Sequence, residues 1–198
     1  MGDKTDRIKT ASIPSDEEIE AERKRLDYRK KYRHTLSSTI YVLVIVAAVS
    51  VLLATIFLPV LQVSGTSMEP TPEDGDIIML LSTGKFETGD LVGFYYQNKL
   101  LLKRIIGVPG DVIDIDDDGN VYVNGELLDE PYVTEKALGE TDLTYPYQVP
   151  ENRYFIMGDN RATSIDSRSS AIGCIEAEQI VGKVVLRVYP LDRISFIR

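Results

Sequence analysis

The stretch IYVLVIVAAVSVLLATIFLPVL, residues Ile40–Leu61, contains no charged residue and is apolar on every side. As a helix of 22 residues it would cover about 33 Å, which matches the roughly 30 Å hydrocarbon core of a bilayer. A buried core helix would be shorter and carry a polar stripe, and a cleavable secretory signal would lie closer to the N-terminus. The run therefore predicts a membrane anchor that divides the chain into a charged tail (1–36), a transmembrane segment (37–62) and a domain (63–198).

The charge near the two ends of the run predicts its orientation. On the far side the first basic residue is Lys85, whereas seven basic residues crowd the N-terminal side. These seven are Arg23, Lys24, Arg25, Arg29, Lys30, Lys31 and Arg33. Because basic residues stay in the cytoplasm, we expect a cytoplasmic N-terminus and an extracytoplasmic domain. Within the tail, Ser15 and Glu18 form a capping-box pattern ahead of a helix rich in mixed charge, Ile19–Arg33.

Charge and cysteine content narrow the partners of the domain. Residues 1–36 carry a net charge of +2 and the whole chain −9, so the remainder carries −11. An acidic domain argues against a nucleic-acid partner, which would require a basic face. The single cysteine, Cys174, is interpreted as a small buried residue that cannot form an intramolecular disulfide. With one cysteine and one histidine the chain offers no zinc site.

After Val63 the sequence changes to short β-branched and aromatic runs separated by Gly, Asp and Pro, which predicts strands. The predicted strands are Asp76–Ser82, Asp90–Gln97, Lys99–Gly107, Asp111–Asp116, Asn120–Asn124, Arg153–Met157 and Val181–Tyr189. The turn at 116–120 makes the fourth and fifth a hairpin. The segment Asn124–Pro150 has little periodicity and is interpreted as an insertion or extended connection. The expected fold class is mostly β and antiparallel.

Ser67 lies directly after the apolar run, in Ser64-Gly-Thr-Ser-Met-Glu-Pro-Thr71. If that run spans a membrane, the only histidine, His34, is on the other side and cannot act as a base for Ser67. A lysine can replace it when burial keeps the amine neutral. On a strand, Leu101, Lys103 and Ile105 share one apolar face and Arg104 points the other way, so Lys103 is the candidate base. The alternative is a lysine that reaches out to solvent at a sheet edge.

Three segments, taken together and in this order behind an anchor, resemble the bacterial type I signal peptidase family. They are Gly65-Thr-Ser-Met-Glu-Pro-Thr71, Lys103-Arg-Ile-Ile-Gly-Val-Pro-Gly-Asp111 and Gly158-Asp-Asn-Arg-Ala-Thr-Ser-Ile-Asp-Ser-Arg168. The resemblance implies that family's β-rich catalytic core, with the active site at the outer leaflet. Taken singly, the third segment could be only a turn and a solvated loop; the joint occurrence with the other two favours the family.

The resemblance implies a role for each matching residue. Ser67 would be the nucleophile and Lys103 the general base, which later returns its proton to the leaving amine. Ser164 matches the serine that hydrogen-bonds and orients the lysine. Asp166 and Arg168 match a supporting pair, expected to form a salt bridge.

The same resemblance concerns the turn, the substrate pocket and the oxyanion site. The turn Gly158–Arg161 would bring this segment to the lysine, and Met68, Leu101 and Leu102 would help to line a shallow pocket for a small substrate side chain. At the position of Gly65, Gram-negative members have a serine that helps to hold the oxyanion. A glycine at this position is similar to Gram-positive members. The backbone N–H of Ser67 is therefore expected as one oxyanion donor, and the second donor stays open.

Two further patterns are weaker. Ser82-Thr-Gly-Lys85 matches the S-x-x-K pattern of penicillin-recognising enzymes, but a turn after a strand is the expected context rather than a helix. Asp114–Gly119 imitates the start of a calcium loop, but the closing glutamate is displaced, because position 125 is glycine. An acidic hairpin is the preferred interpretation, with weak calcium binding as the alternative.

The function implied by the resemblance is that of a membrane-bound serine endopeptidase that removes signal peptides from exported preproteins without a cofactor. Its expected partners are those preproteins and the lipid bilayer. Two alternatives remain. One is another serine–lysine protease, such as a self-cleaving regulator; the other is a catalytically inactive or specialised paralogue that binds peptides at the membrane. The export orientation weighs against the first, and intact Ser67 and Lys103 weigh against an inactive protein.

Overall fold

A computed structural model describes residues 15–82 and 84–197 of the chain. Residues 1–14 of the predicted tail and Thr83 of the S-x-x-K pattern thus lie outside the described residues. The chain divides into two compact units, Met1–Leu52 and Leu53–Arg198.

A single helix, α1 (Asp16–Phe57), contains most of the tail and most of the apolar run. Its start is capped as predicted: the Ser15 N–H donates to Glu18 Oε2 at 2.9 Å, and the Glu18 N–H donates to Ser15 Oγ at 3.3 Å. The helix is long and apolar enough to cross a membrane by length and composition.

α1 ends at Phe57, five residues before residue 62, the predicted end of the transmembrane segment. The next residues of the apolar run, Val60–Gln62, form a strand instead. Pro59 explains the change, since proline disfavours helical backbone at the residue before it and cannot donate a helical hydrogen bond. From Ile40 to Phe57 the helix covers about 27 Å, still close to the thickness of the hydrocarbon core.

Within the described residues, twelve strands follow the helix, and their pairings are all antiparallel. They are β1 (Val60–Gln62), β2 (Ile77–Leu81), β3 (Leu91–Tyr96), β4 (Lys99–Gly107), β5 (Val112–Ile115), β6 (Val121–Val123), β7 (Glu126–Leu127), β8 (Tyr147–Gln148), β9 (Arg153–Met157), β10 (Ile175–Glu176), β11 (Ile180–Tyr189) and β12 (Ser195–Phe196). Short 3-10 turns occupy Ala177–Gln179 and Leu191–Arg193. The mostly β, antiparallel fold class is confirmed.

The strands form two sheets. The larger has the order β1-β2-β11-β3-β4-β9-β10, with β12 paired to β11, and the smaller has the order β7-β6-β5-β8. All seven predicted strands are present, and β4 and β9 have the predicted bounds. The predicted hairpin joins β5 to β6. β4 lies inside the larger sheet, between β3 and β9, which pair with its two edges. Its two faces are available for packing.

Side chains on β4 alternate between two core clusters. Leu101 and Ile105 pack with Phe94 and Ile156 on one side, whereas Leu102 packs with Met68 on the other. This is the predicted alternation about Lys103. Cys174 is buried, as predicted.

The segment interpreted as an insertion is a packed part of the domain. Its apolar side chains cover the cluster around Ile113 and Phe155. Those that do so are Leu128, Leu138, Leu143, Tyr145 and Tyr147. The segment is therefore an extended connection held against the core, with β7 and β8 at its two ends.

Candidate active site

The structure brings Lys103 and Ser67 together. Lys103 lies in the middle of β4, where its backbone pairs with Val92 of β3. Its side chain is largely buried, with the residue only 4% exposed. Its Nζ lies 2.7 Å from Oγ of Ser67, a hydrogen-bond distance between residues 36 positions apart.

The surroundings of Lys103 favour its neutral form. The pKa of its amine is lowered to about 8, mainly by burial and to a smaller extent by the positive charge of Arg168, against the carboxylates of Asp166 and Asp159, which raise it. With a pKa of about 8, roughly a tenth of the lysines are unprotonated at pH 7. A neutral amine at hydrogen-bond distance from a serine hydroxyl can accept the hydroxyl proton, which is what nucleophilic catalysis by serine requires.

The loop that carries Ser67 is held at both ends by backbone and side-chain hydrogen bonds. Gly65 has a φ of +96°, a backbone conformation that residues other than glycine rarely adopt. Its N–H donates to Asp74 Oδ1 at 2.8 Å. After the serine, the Thr71 N–H donates to the Met68 carbonyl at 3.0 Å. Among the described residues the Ser67 N–H has no hydrogen-bond acceptor. It can therefore donate to an incoming oxygen.

The turn Gly158–Arg161 lies directly against this loop. The Asn160 N–H donates to the Ser67 carbonyl at 3.2 Å, and Asn160 Nδ2 donates to the Thr66 carbonyl at 3.3 Å. Gly158 is required by close approach, because a Cβ at this position would overlap the Ser67 carbonyl oxygen and the side chain of Ser164. The predicted turn thus contacts the loop that carries Ser67, through its backbone and through the Asn160 side chain.

Ser164 is buried next to the site, but the predicted hydrogen bond to Lys103 is absent. Its hydroxyl oxygen has no partner among the described residues. The Ser164 N–H donates to the Asn160 carbonyl at 3.1 Å, which fixes the backbone, and the side chain packs against Gly158. The prediction is corrected in this respect: Ser164 contacts the turn that supports Ser67 instead of bonding to the lysine.

Asp166 and Arg168 form an ion pair with no solvent exposure. Arg168 Nε donates to Oδ1 at 2.9 Å and Nη2 donates to Oδ2 at 3.0 Å. Asp166 Oδ2 also accepts the Gly158 N–H at 2.9 Å. Arg168 further donates to the carbonyls of Arg161 and Leu138, at 2.9 and 2.7 Å. The pair therefore joins the catalytic turn to the extended connection.

Sequence reasoning missed a second buried pair, which is formed by Arg104 and Asp159. Arg104 donates from Nε and Nη2 to the two carboxylate oxygens of Asp159, at 2.9 and 2.7 Å. Its guanidinium carbon lies 3.8 Å from the centre of the Tyr132 ring, a cation–π contact. One feature of the sequence indicated this pair: Arg104 lies within an apolar strand, at a position whose side chain faces the core. Tyr132 carried no signal, because its partner is 28 residues away in sequence.

A third buried pair, also missed, joins Arg161 to Glu130, and both side chains are fully buried. Arg161 Nη1 lies 3.2 Å from Glu130 Oε2, and its Nε donates to the Gly158 carbonyl at 3.0 Å. Glu130 belongs to the irregular part of the chain, where no periodic pattern marks a buried position.

The residues expected to line a substrate pocket are divided by β4. Met68 and Leu102 pack together, and Leu101, on the face that carries Lys103, is partly exposed. Their role in substrate binding stays a prediction.

Metal binding gains no support from the side chains that the structure describes. No group of three or more His, Cys, Asp or Glu residues in residues 15–82 and 84–197 is arranged to hold a metal ion. In the calcium-like hairpin, Asp116 uses its carboxylate for its own turn, accepting the backbone N–H and the side-chain amide of Asn120, both at 2.8 Å. These bonds hold the pKa of Asp116 below its usual value.

The chain is similar in sequence to known proteins. Residues 36–189 match the sequence model of the family described as signal peptidase, peptidase S26. The chain is 39% identical over 166 residues to signal peptidase I of Bacillus licheniformis, covering 76% of this chain and 88% of that protein. It is 36% identical over 154 residues to signal peptidase IB of Staphylococcus aureus, covering 68% and 79%. A solved signal peptidase I from Enterococcus faecalis is 29% identical, covers 50% of this chain and 96% of that chain, and has a TM-score of 0.43.

The chain belongs to the bacterial type I signal peptidase family, in its Gram-positive-like branch. It is therefore a membrane-anchored serine endopeptidase of the signal-peptide-cleaving class. Membership implies preprotein substrates and association with a membrane.

Proposed function

We propose that Ser67 and Lys103 are the catalytic dyad with which this chain cuts signal peptides from exported preproteins. The observation that carries the proposal is the 2.7 Å separation of Lys103 Nζ and Ser67 Oγ around a lysine that is almost entirely buried. In our proposal Gly65, Asp166 and Arg168 support this pair without contacting substrate.

The first half of the reaction acylates Ser67. Ser67 Oγ attacks the carbonyl carbon of the scissile bond while its proton passes to Lys103 Nζ. The tetrahedral intermediate collapses, the carbon–nitrogen bond breaks, and Lys103 gives its proton to the leaving amine, which becomes the new N-terminus of the mature protein. The signal peptide is left as an ester on Ser67.

The second half releases the signal peptide. Lys103, neutral again, takes a proton from a water molecule whose oxygen attacks the ester carbon. The bond to Ser67 Oγ breaks, and the proton held by Lys103 returns to that oxygen. The signal peptide leaves with a new carboxyl group, which releases its remaining proton to solvent and becomes a carboxylate, and the dyad is restored without a cofactor.

The oxyanion of each tetrahedral intermediate needs hydrogen-bond donors that are already in place. We propose the Ser67 N–H as one of them, since no described residue accepts a hydrogen bond from it. The Gly65 N–H is already used by Asp74 and is therefore not our choice for the second.

Substrate recognition is proposed from the family and from the position of the site. The peptide would bind in extended form, adding to a strand edge, with small side chains one and three residues before the cut. Met68, Leu101 and Leu102 would line the pocket for one of them.

The proposed topology has a cytoplasmic tail (1–36), a membrane segment that ends at Phe57 and an extracytoplasmic catalytic domain. Seven basic residues before the span support this orientation. Holding enzyme and preprotein at one surface would raise their effective concentration.

The direct test is cleavage of a preprotein that carries Ala-x-Ala before its cleavage site, using the purified full chain in lipid nanodiscs. The wild type should release a product whose N-terminus begins after the second alanine, and Ser67→Ala should release none. Ser64→Ala is the matched control, because Ser64 is an exposed serine on the same loop. Cleavage by Ser67→Ala at the wild-type rate would remove the dyad from consideration.

A further inference from the structure

The irregular segment after β7, residues 128–138, contacts all three of the buried arginines that lie near the dyad. Glu130 pairs with Arg161 and the Tyr132 ring lies over Arg104. The carbonyls of Ala137 and Leu138 accept hydrogen bonds from Arg168 Nη1, at 3.3 and 2.7 Å. A single stretch of chain without regular secondary structure thus supplies partners to three arginines that come from β4 and from the segment after β9.

Within this segment Glu130 has the most direct connection to the catalytic turn. Its two carboxylate oxygens face Nη1 and Nη2 of Arg161, and the Tyr132 hydroxyl donates to Oε1 at 3.4 Å. The third donor of that guanidinium group, Nε, binds the Gly158 carbonyl at 3.0 Å. Because the guanidinium is planar and its donors are fixed relative to one another, the carboxylate sets the direction in which Nε points.

The carbonyl held in this way belongs to Gly158, which also contacts Asp166, Ser67 and Ser164. The Gly158 N–H donates to Asp166 Oδ2 at 2.9 Å, and no room remains between Gly158 and either the Ser67 carbonyl or Ser164. Two residues later, the Asn160 N–H holds the same Ser67 carbonyl. A displacement of the Gly158 peptide would therefore reach Ser67 through packing and Asp166 through a hydrogen bond.

We propose that Glu130 is a positioning residue of the active site, which acts through Arg161 to hold the Gly158–Asn160 turn against Ser67. The proposal rests on the proposed Ser67–Lys103 function. Stability alone is a weak reason for this pair, because well-packed apolar residues of similar volume often stabilise a protein as much as a buried ion pair does. What apolar residues cannot supply is the oriented donor to the Gly158 carbonyl.

This difference suggests the variants for a test. Glu130→Gln leaves the Arg161 charge buried without its carboxylate, which lowers stability as well as activity. The double variant Glu130→Leu with Arg161→Met removes both charges and keeps an apolar filling, so its fold should survive while the bond to Gly158 is lost. Glu140→Gln is the matched control, since Glu140 is an exposed glutamate further along the same connection.

The measurements are kcat, KM, the pH–rate profile and the melting temperature, with activity assayed well below the lowest melting temperature. For the double variant we expect a melting temperature near that of the wild type and a kcat lower by about 10- to 100-fold, the order of loss caused by small displacements in active sites. The midpoint of the pH profile should also move, because the charged groups that act on Lys103 are Asp166, Asp159 and Arg168, and Asp166 is bonded to the displaced peptide. Glu140→Gln should match the wild type.

A folded double variant with the kcat and the pH midpoint of the wild type would overturn the proposal, since a purely structural pair would behave in that way. Parallel assays of the wild type and Ser67→Ala separate this failure from that of the proposed function. If the wild type cuts and Ser67→Ala does not, the dyad stands and only the role of Glu130 is at issue. Cleavage by Ser67→Ala would remove the dyad, and the role of Glu130 with it.

Discussion

Asp166 accepts the backbone N–H of Gly158 at 2.9 Å while both of its carboxylate oxygens are bonded to Arg168. The same carboxylate raises the pKa of Lys103, against the larger opposite effect of burial. One side chain thus fixes the turn beside the nucleophile and acts on the protonation of the proposed base. The catalytic geometry and the electrostatics of this site are consequently expected to change together.

The first prediction concerns the dyad. Ser67→Ala and Lys103→Met should each reduce kcat by at least about 10³-fold, because the two groups act as one unit. For the same reason the double variant should be hardly slower than either single variant. Lys99→Met, which alters an exposed lysine at the start of β4, serves as the control and should retain full turnover. Steady-state kinetics on a preprotein would measure this, and additive losses in the double variant would contradict a shared role.

The pH dependence of catalysis follows from the neutral form of Lys103. Since only the unprotonated amine accepts the Ser67 proton, kcat/KM should rise with pH through a midpoint near 8. This midpoint is more than two units below that of an exposed lysine. A pH–rate profile from pH 6 to 10 would show it. A rate that is independent of pH across this range would mean that Lys103 is not the base.

The same pKa predicts an effect on stability. The lysine binds a proton up to about pH 8 in the folded protein and up to about 10.5 in the unfolded chain, so between these values the unfolded state holds more protons. The wild type should therefore become more stable relative to Lys103→Met as the pH rises from 8 to 10.5. A shift of this size corresponds to about 3 kcal/mol. Denaturant unfolding of both proteins at several pH values would measure the difference, and parallel curves would contradict the lowered pKa.

Ser164→Ala separates the predicted role of this serine from what the structure contains. The hydroxyl is buried without a partner, so its removal should leave the melting temperature unchanged or slightly higher. Because the hydroxyl is not bonded to Lys103, turnover should fall by less than about tenfold. Thermal melting and kcat would be compared with those of Asp166→Asn, which leaves Arg168 buried without its charge partner and should lose about 3–5 kcal/mol of stability. An inactive but fully stable Ser164→Ala would restore the direct role in orienting the lysine.

Gly158→Ala tests how closely the turn approaches the nucleophile. The added methyl group would overlap Ser67 and Ser164, so the turn must move away and both stability and turnover should decrease, stability by about 1–3 kcal/mol. Gly84→Ala is the control, since a Cβ at Gly84 would meet no atom within 4 Å. Wild-type turnover by Gly158→Ala would mean that the turn has room to spare.

Sequence reasoning located the strands that have enough residues to carry a pattern. The bounds of β4, Lys99–Gly107, were predicted correctly because this nine-residue run carries apolar side chains on both faces. Strands of two or three residues, such as Glu126–Leu127, are too short for any periodicity and were missed. The end of the helix at Phe57 was not predicted, because composition does not distinguish an apolar helix from an apolar strand; the change at Pro59 is a matter of backbone geometry.

The site divides in the same way. Ser67 and Lys103 were predicted as a pair because a serine nucleophile without histidine would need another base, and the structure places the two within hydrogen-bond distance, while their catalytic role stays a prediction. The partners Glu130 and Tyr132 could not be predicted, since buried polar groups are recognised by what they contact and these contacts join residues about 30 positions apart.

In the proposed topology, the short connection between α1 and Ser67 limits where the enzyme can cut. Ten chain steps separate Phe57, the last residue of α1, from Ser67, so even a fully extended connection could reach only about 35 Å. A scissile bond held farther from the lipid surface by a long polar spacer should therefore escape cleavage while the apolar part of its signal peptide stays in the bilayer. The anchor would then limit the distance from the membrane at which a peptide bond can be cut. Substrates would be selected by that distance as well as by the side chains beside the scissile bond.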